Sequence, residues 1–134
     1  MTKYLIDTQI LIWFELGSPK LKTDVLEILV NSANEIFVSQ ISLMEITIKQ
    51  KTGRLPQLSW NTQSITEQLK KDNIQLMPIE ITHIEAYQNI PLFDNHRDPF
   101  DRFLLATCLA ENIPVISADA HFKLYTSLIH LVEA

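Results

Sequence analysis

Short apolar runs alternate with stretches of helical periodicity from one end of the chain to the other, and this alternation constrains the fold more than any other feature. Residues 3–7, 36–39 and 115–117 are short segments with apolar centres and read as buried strands. Residues 20–31, following Ser18-Pro19, have helical periodicity, as do residues 40–51, which are stopped by Gly53. Further helices are expected over 61–72, over 82–89 before Pro91, and over 99–111. A strand interrupted by Pro78 is expected over 74–79, and a last one near 128–132. Strands separated by helices are joined by crossovers, which makes their sheet parallel and covers both of its faces. The expected fold is therefore a three-layer α/β/α sandwich around a mostly parallel sheet. No repeat, low-complexity tract or linker divides residues 1–134, so a single domain is expected, large enough to bury roughly 70% of its unfolded surface.

Charge limits the partners. Sixteen acids against eleven Lys and Arg give a formal net charge of −5. That balance opposes tight binding to duplex nucleic acid, where cations neutralising phosphates dominate affinity. It becomes compatible with a phosphate ligand if several acids converge on a divalent cation, which inverts the local field. The single cysteine, Cys108, lies in an apolar run and has no partner for an internal disulfide. No secretory leader opens the chain, and no apolar segment approaches the roughly 18 residues of a membrane span, so a cytoplasmic location is expected.

Ligands of open α/β sheets bind beyond the carboxyl ends of the strands. Asp7 ends the first strand, and Asp119 lies two residues past the strand at 115–117. Each has an ordinary explanation: Asp7 as the cap of a following helix, Asp119 as a turn residue or the cap of a short helix into His121-Phe122. Glu45 is more informative. Its helical neighbours Ile41, Met44, Ile46 and Ile48 place it on or beside an apolar stripe. Leaving a carboxylate unpaired there costs several kcal/mol, whereas an i,i+4 pair with Lys49 returns only about 0.3–0.5 kcal/mol.

In His96-Arg97-Asp98-Pro99-Phe100-Asp101-Arg102, proline at the first helical position makes Asp98 the N-cap and Asp101 the third residue, as in a capping box. Asp101 shares its side of the helix with Leu104, Leu105 and Cys108, so it is the better ligand, with Asp98 the alternative. Four carboxylates gathered in one crevice repel one another unless a cation neutralises them. Oxygen donors without cysteine or paired-histidine spacing select Mg2+ or Mn2+ over zinc. The four histidines, His83, His96, His121 and His130, are read as surface or capping residues.

Four segments in this order and spacing resemble PIN-domain nucleases, and within them the VapC-type toxins of toxin–antitoxin pairs. They are Leu5-Ile6-Asp7-Thr8-Gln9 through Trp13, Ile41 through Lys49 with Gly53-Arg54-Leu55, His96 through Arg102 with Leu104-Leu105-Ala106, and Ile116-Ser117-Ala118-Asp119 with Phe122. The resemblance implies an endoribonuclease with Asp7, Glu45, Asp101 and Asp119 as both catalytic and metal-binding residues. It also implies an RNA substrate, a homodimer and an antitoxin partner. Ser117 matches a hydroxyl position that supports the last acid, and Thr8 is expected to do likewise for the first. The chain departs from relatives at Gln9, where His, Asn or Ser is frequent, and at Met44, where many carry Trp. On this reading Asp7, Glu45 and Asp101 hold the principal ion, Asp119 completes the set directly or through water, and Arg97, Arg102, Lys49 and Arg54 are candidates to supply local positive charge to RNA. Trp13, Phe14 and Trp60 read as core or partner-contact residues.

Two other functions are compatible with an acid at a strand end. A phosphatase or phospho-accepting domain would use Asp7 as nucleophile, but the first wants a second acid where Gln9 stands, and the second wants paired acids near its start and a late lysine. A non-catalytic RNA- or protein-binding module of the same fold has no need of the full acid set.

Overall fold

The computed structural model describes residues 2–134. Its elements follow the order β1 (Thr2–Ile6), α1 (Thr8–Leu16), α2 (Thr23–Val30), β2 (Asn34–Ser39), α3 (Gln40–Lys51), α4 (Thr62–Lys71), β3 (Ile74–Met77), α5 (Ile81–Tyr87), α6 (Pro99–Glu111), β4 (Val115–Ser117), a 3-10 helix (Ala120–Tyr125) and β5 (Leu131–Glu133). The strands form one sheet in the order β3-β2-β1-β4-β5, and every neighbouring pair is parallel.

Successive side chains on a strand point to opposite faces, and the sequence supplies apolar residues to both. Ile6, Ile36, Val38, Ile74 and Ile116 pack with Ile10 of α1, Val25 of α2, Ile46 of α3 and Leu69 of α4. Leu5, Met77 and Val115 point the other way, onto Leu104, Leu105 and Cys108 of α6 and Phe122 and Tyr125 of the 3-10 helix. These two cores make the three layers. Each fully buried aliphatic side chain contributes about 2 kcal/mol. Burial also pushes the Cys108 thiol up, so it is a packing residue and not a nucleophile.

The strand order locates the site. The chain lays β2 and β3 successively on one side of β1, then crosses back to lay β4 and β5 on the other. Strand order therefore reverses between β1 and β4, where a crevice opens beyond the carboxyl ends. Asp7 leaves β1 there, with its N–H bonded to Ile116 O of β4 at 3.1 Å.

Several boundaries differ from expectation for identifiable reasons. β3 stops at Met77, because Pro78 has no N–H for the ladder. The helix expected over 20–31 begins at Thr23, after a turn in which Leu21 N bonds Ser18 O. The last strand begins only at Leu131, because the N–H groups of Leu128 and Ile129 both fold back onto Tyr125 O. α1 ends at Gly17, whose φ of 61° is the left-handed conformation that lets the next N–H return to Trp13 O. No helix among the described residues is long and apolar enough to cross a membrane.

Candidate active site

Asp7 is both a helix cap and a buried acid. Its backbone is extended (ψ 172°), and Oδ1 accepts from Ile10 N at 2.8 Å, which satisfies an orphan donor of the first turn of α1. Oδ2 accepts from Ser117 Oγ at 2.5 Å. With 5% of its surface exposed, Asp7 is held up from 3.8 to about 7: burial is the main cause, the two hydrogen bonds oppose it, and the charges of Asp101 and Glu45 add to it.

Glu45 projects from the second turn of α3 toward the same crevice. The Thr8 hydroxyl lies 2.6 Å from Glu45 Oε1 and 2.9 Å from Ser42 Oγ. Having one hydrogen, it donates to the carboxylate and accepts from the serine. The pair with Lys49 forms as well, at 3.3 Å. Of the two expected supports, one changes its acid and the other gains a second. Thr8 holds Glu45 instead of Asp7, while Ser117 binds the Asp7 carboxylate and accepts the Asp119 N–H at 3.0 Å.

On α6, Asp98 is the N-cap and accepts from Phe100 N at 2.9 Å. Asp101 does not reach back to complete a capping box; its Oδ2 meets His96 Nε2 at 3.2 Å. Burial raises Asp101 from 3.8 to about 6, against the hydrogen bond from His96 and with the repulsion of Asp98 and Glu45. Asp119 caps the 3-10 helix through His121 N and meets His121 Nδ1, both at 2.9 Å from Oδ1. His96 was not among the sequence candidates, yet it is buried and fixed by Tyr125 Oη on Nδ1 at 2.7 Å and by His121 stacked at 5.4 Å. Donor atoms of His96, Asp101 and Asp119 lie within 4.8 Å of one another. A histidine inside a polar loop gives no periodicity signal, so only the folded chain reveals this role.

A cavity of about 210 Å3 is lined by Asp7, Glu45, Asp98, Asp101 and Asp119 together with Thr8, Gln9 and Lys49. The fold thus gathers all four acids chosen from the sequence, and the alternative Asp98 with them. Five carboxylates face one ammonium there, and desolvation has raised two of them toward neutrality. The carboxylates of this lining, with hydroxyls orienting two of them, offer the oxygen donors that a hard divalent cation such as Mg2+ or Mn2+ takes, with the His96 imidazole beside Asp101 and Asp119.

The proposed basic contacts divide. Arg97 is exposed, with its guanidinium 3.5 Å from Asp94 and outside the crevice lining. Arg102, expected to face RNA, is instead 4% exposed, and its guanidinium donates to Pro91 O, to Ile90 O and to Tyr87 Oη. Buried and bonded to two carbonyls and a phenol oxygen, this guanidinium ties α6 to the preceding loop and is not part of the crevice lining. His83 is buried under a reciprocal cap with Glu80 and meets Glu111 at 3.1 Å, so it too belongs to the framework.

The profile of the PIN domain family matches residues 4–127. Comparison with curated protein sequences gives no match. Among solved structures, VapBC2 from Rickettsia felis bound to a DNA fragment from its promoter superposes with a TM-score of 0.67 at 18% identity, covering 98% of each chain. DNA-bound VapBC from Salmonella typhimurium gives 0.67 at 14% identity, over 99% of this chain and 98% of that one. FitAcB from Neisseria gonorrhoeae gives 0.64 at 16% identity, over 97% and 96%. At these identities the likeness is one of fold.

Proposed function

The chain belongs to the PIN domain family, and on that premise we propose that it is a divalent-metal-dependent endoribonuclease and the toxin of a toxin–antitoxin pair. The observation that carries the reading is the crevice at the strand switch point. Among the described residues Asp7 is buried there without a cationic partner, beside Glu45, Asp101 and Asp119, a gathering of carboxylates that costs stability unless a cation neutralises it. Structural similarity along nearly the whole chain to the VapBC and FitAcB structures above supports an antitoxin partner. A homodimer acting in the cytoplasm completes the reading.

Asp7, Glu45 and Asp101 would hold Mg2+ or Mn2+, with Asp119 as the fourth member. When bound, such an ion neutralises these carboxylates, lowers the pKa of water and stabilises charge on phosphoryl oxygens. The remaining work belongs to the chain. Ser117 and Thr8 fix the carboxylates of Asp7 and Glu45, so that little reorganisation is needed on binding. Lys49 on the crevice wall offers a cation to a phosphate oxygen, held near by its pair with Glu45. His96 orients Asp101 and is itself locked by Tyr125.

The test is cleavage of RNA by purified protein freed of any antitoxin. Activity should require Mg2+ or Mn2+ and stop with chelator, and Asp7→Asn should stay folded and be inactive. Undiminished cleavage by Asp7→Asn, or a trapped aspartyl-phosphate, overturns the assignment.

A further inference from the structure

A second cleft adjoins the acidic crevice. Gln9 lines both, and from Gln9 the second cleft follows one face of α1 through Trp13 for about 10 Å of helix. Its far wall comes from the loop after α1, carrying Lys20, and from the segment after α3, carrying Arg54 and Gln57. The cavity is about 350 Å3, within the range of clefts that hold small organic ligands.

Its charge runs against that of the molecule. The chain carries sixteen acids to eleven Lys and Arg, yet among the described residues this cleft is lined by Lys20 and Arg54 and by no acid. Neither cation takes part in an ion pair among the described residues. Both are placed by local structure: Lys20 N bonds Ser18 Oγ at 3.2 Å, while Arg54 N bonds Lys49 O at 2.8 Å and Arg54 Nε bonds Thr52 Oγ1 at 3.0 Å. Among the described residues the terminal guanidinium nitrogens of Arg54 take part in no ion pair. Trp13 is packed on the core along one side and partly exposed on the other.

We propose that this cleft is a ribonucleotide-binding subsite for single-stranded RNA entering the acidic crevice, with Lys20 and Arg54 on phosphates next to the one that is cut, and Trp13 beneath a base. The proposal rests on the reading of the crevice as a site of RNA cleavage. It resolves the conflict between an acidic protein and a polyanionic substrate. The metal-site carboxylates would repel a strand along its length, and the neighbouring cleft returns positive charge where the strand continues. Aromatic stacking tolerates any base, so such a subsite adds affinity without fixing sequence. An acidic or apolar protein segment is the other class of occupant; continuity with the crevice through Gln9 favours the nucleic acid.

The probe is a fluorescein-labelled 2′-O-methyl RNA hexamer of mixed sequence, which binds without being cut. Lys20 and Arg54 are exposed, so Lys20→Ala/Arg54→Ala should fold normally. Loss of two phosphate contacts should weaken hexamer binding roughly tenfold and flatten the log–log salt dependence by about 1.4. In a Trp60→Phe background Trp13 is the one remaining tryptophan, and its emission should change on addition of unlabelled hexamer. Unchanged affinity and salt slope in the double variant overturn the proposal, as does a silent Trp13. A double variant that loses antitoxin but binds the hexamer like the parent also overturns it and assigns the cleft to the protein partner. Hexamer binding that depends on Lys20 and Arg54, in a protein that cuts no RNA, would retain the subsite and reject the nuclease reading.

Discussion

Ser117 and Asp7 are 110 residues apart in sequence and share a hydrogen bond of 2.5 Å, and the same Ser117 oxygen accepts the N–H of Asp119 at 3.0 Å. One hydroxyl at the end of β4 thereby joins the acids on both sides of the strand switch point. Ser117→Ala removes the donor that orients Asp7 and the acceptor that orients the loop of Asp119. It should lower Mn2+ affinity and RNA cleavage by about 10- to 100-fold, the usual effect of losing a group that positions a ligand. The fold should survive at a cost of about 1–2 kcal/mol. Mn2+ titration followed by melting temperature, run beside cleavage rates, measures both, and parental metal affinity in Ser117→Ala would refute the role.

Asp7 also makes stability depend on pH. Its pKa is raised from 3.8 to about 7, so the native metal-free state keeps a proton that the unfolded chain releases. That raised value stabilises fully below the unfolded pKa near 4; the benefit is lost as pH rises through 7, where burying the charged form is penalised. The full shift is worth about 4 kcal/mol at most. Asn supplies one acceptor oxygen for the two donors Ile10 N and Ser117 Oγ, which returns about 1–2 kcal/mol of that. Metal-free Asp7→Asn should therefore be more stable than the parent by about 2 kcal/mol at pH 8 and no more stable at pH 4. Excess Mn2+ should narrow the gap at pH 8 by stabilising the parent alone. Chemical denaturation at the two pH values decides the matter; a variant less stable than the parent at pH 8 contradicts the account.

The two arginines of the Arg97–Arg102 segment should separate cleanly. Arg102→Ala leaves Ile90 O and Pro91 O without their donor in a buried site and removes the cation over the Tyr87 ring, 5.1 Å from its centroid. A loss of about 3 kcal/mol is expected. Arg97 is exposed and paired only with an exposed Asp94, so Arg97→Ala should change stability by less than about 0.5 kcal/mol. Urea midpoints of the two variants provide the comparison, and equal midpoints would return Arg102 to the surface.

What the sequence discloses follows from which signals are local. The strand–helix alternation and the placement of Asp7 at a strand end are written in adjacent residues, and so is the distinction between Asp98 as cap and Asp101 as inward acid. Partners across the fold are not. That Ser117 serves Asp7 and Thr8 serves Glu45 depends on how β4 and α3 meet β1 and α1, for which no spacing rule exists. His96 lies in a polar loop, where burial by Tyr125 and His121 cannot be read from its neighbours. Arg102 shows the converse error. An arginine in the first turn of a helix beside two acids reads as a surface cation, yet its carbonyl partners come from residues 90 and 91, which only the packing of the preceding loop brings near.

Glu15 and Asp72 offer a last, independent test, away from the acidic crevice. Glu15 lies near the end of α1 with one carboxyl oxygen buried, and Asp72 follows α4. Burial, then the hydrogen bond shared with Asp72, then the Asp72 charge raise Glu15 from 4.5 to about 8, while Gln68 Nε2 donates to the Asp72 carboxylate at 3.1 Å. The folded protein thus keeps a proton on Glu15 over a range in which the unfolded chain has released it. Stability from this group is complete below 4.5 and falls as pH rises through 8. Gln at this position resembles the protonated acid and donates to Asp72 at every pH. Because Glu15 is only half-buried, solvent screening reduces the benefit, and a gain of about 3 °C in melting temperature is expected at pH 9. At pH 4.5 Glu15→Gln and the parent should melt together. A difference of equal size at both pH values would mean that the substitution acts through packing and that the two carboxyls do not share a proton.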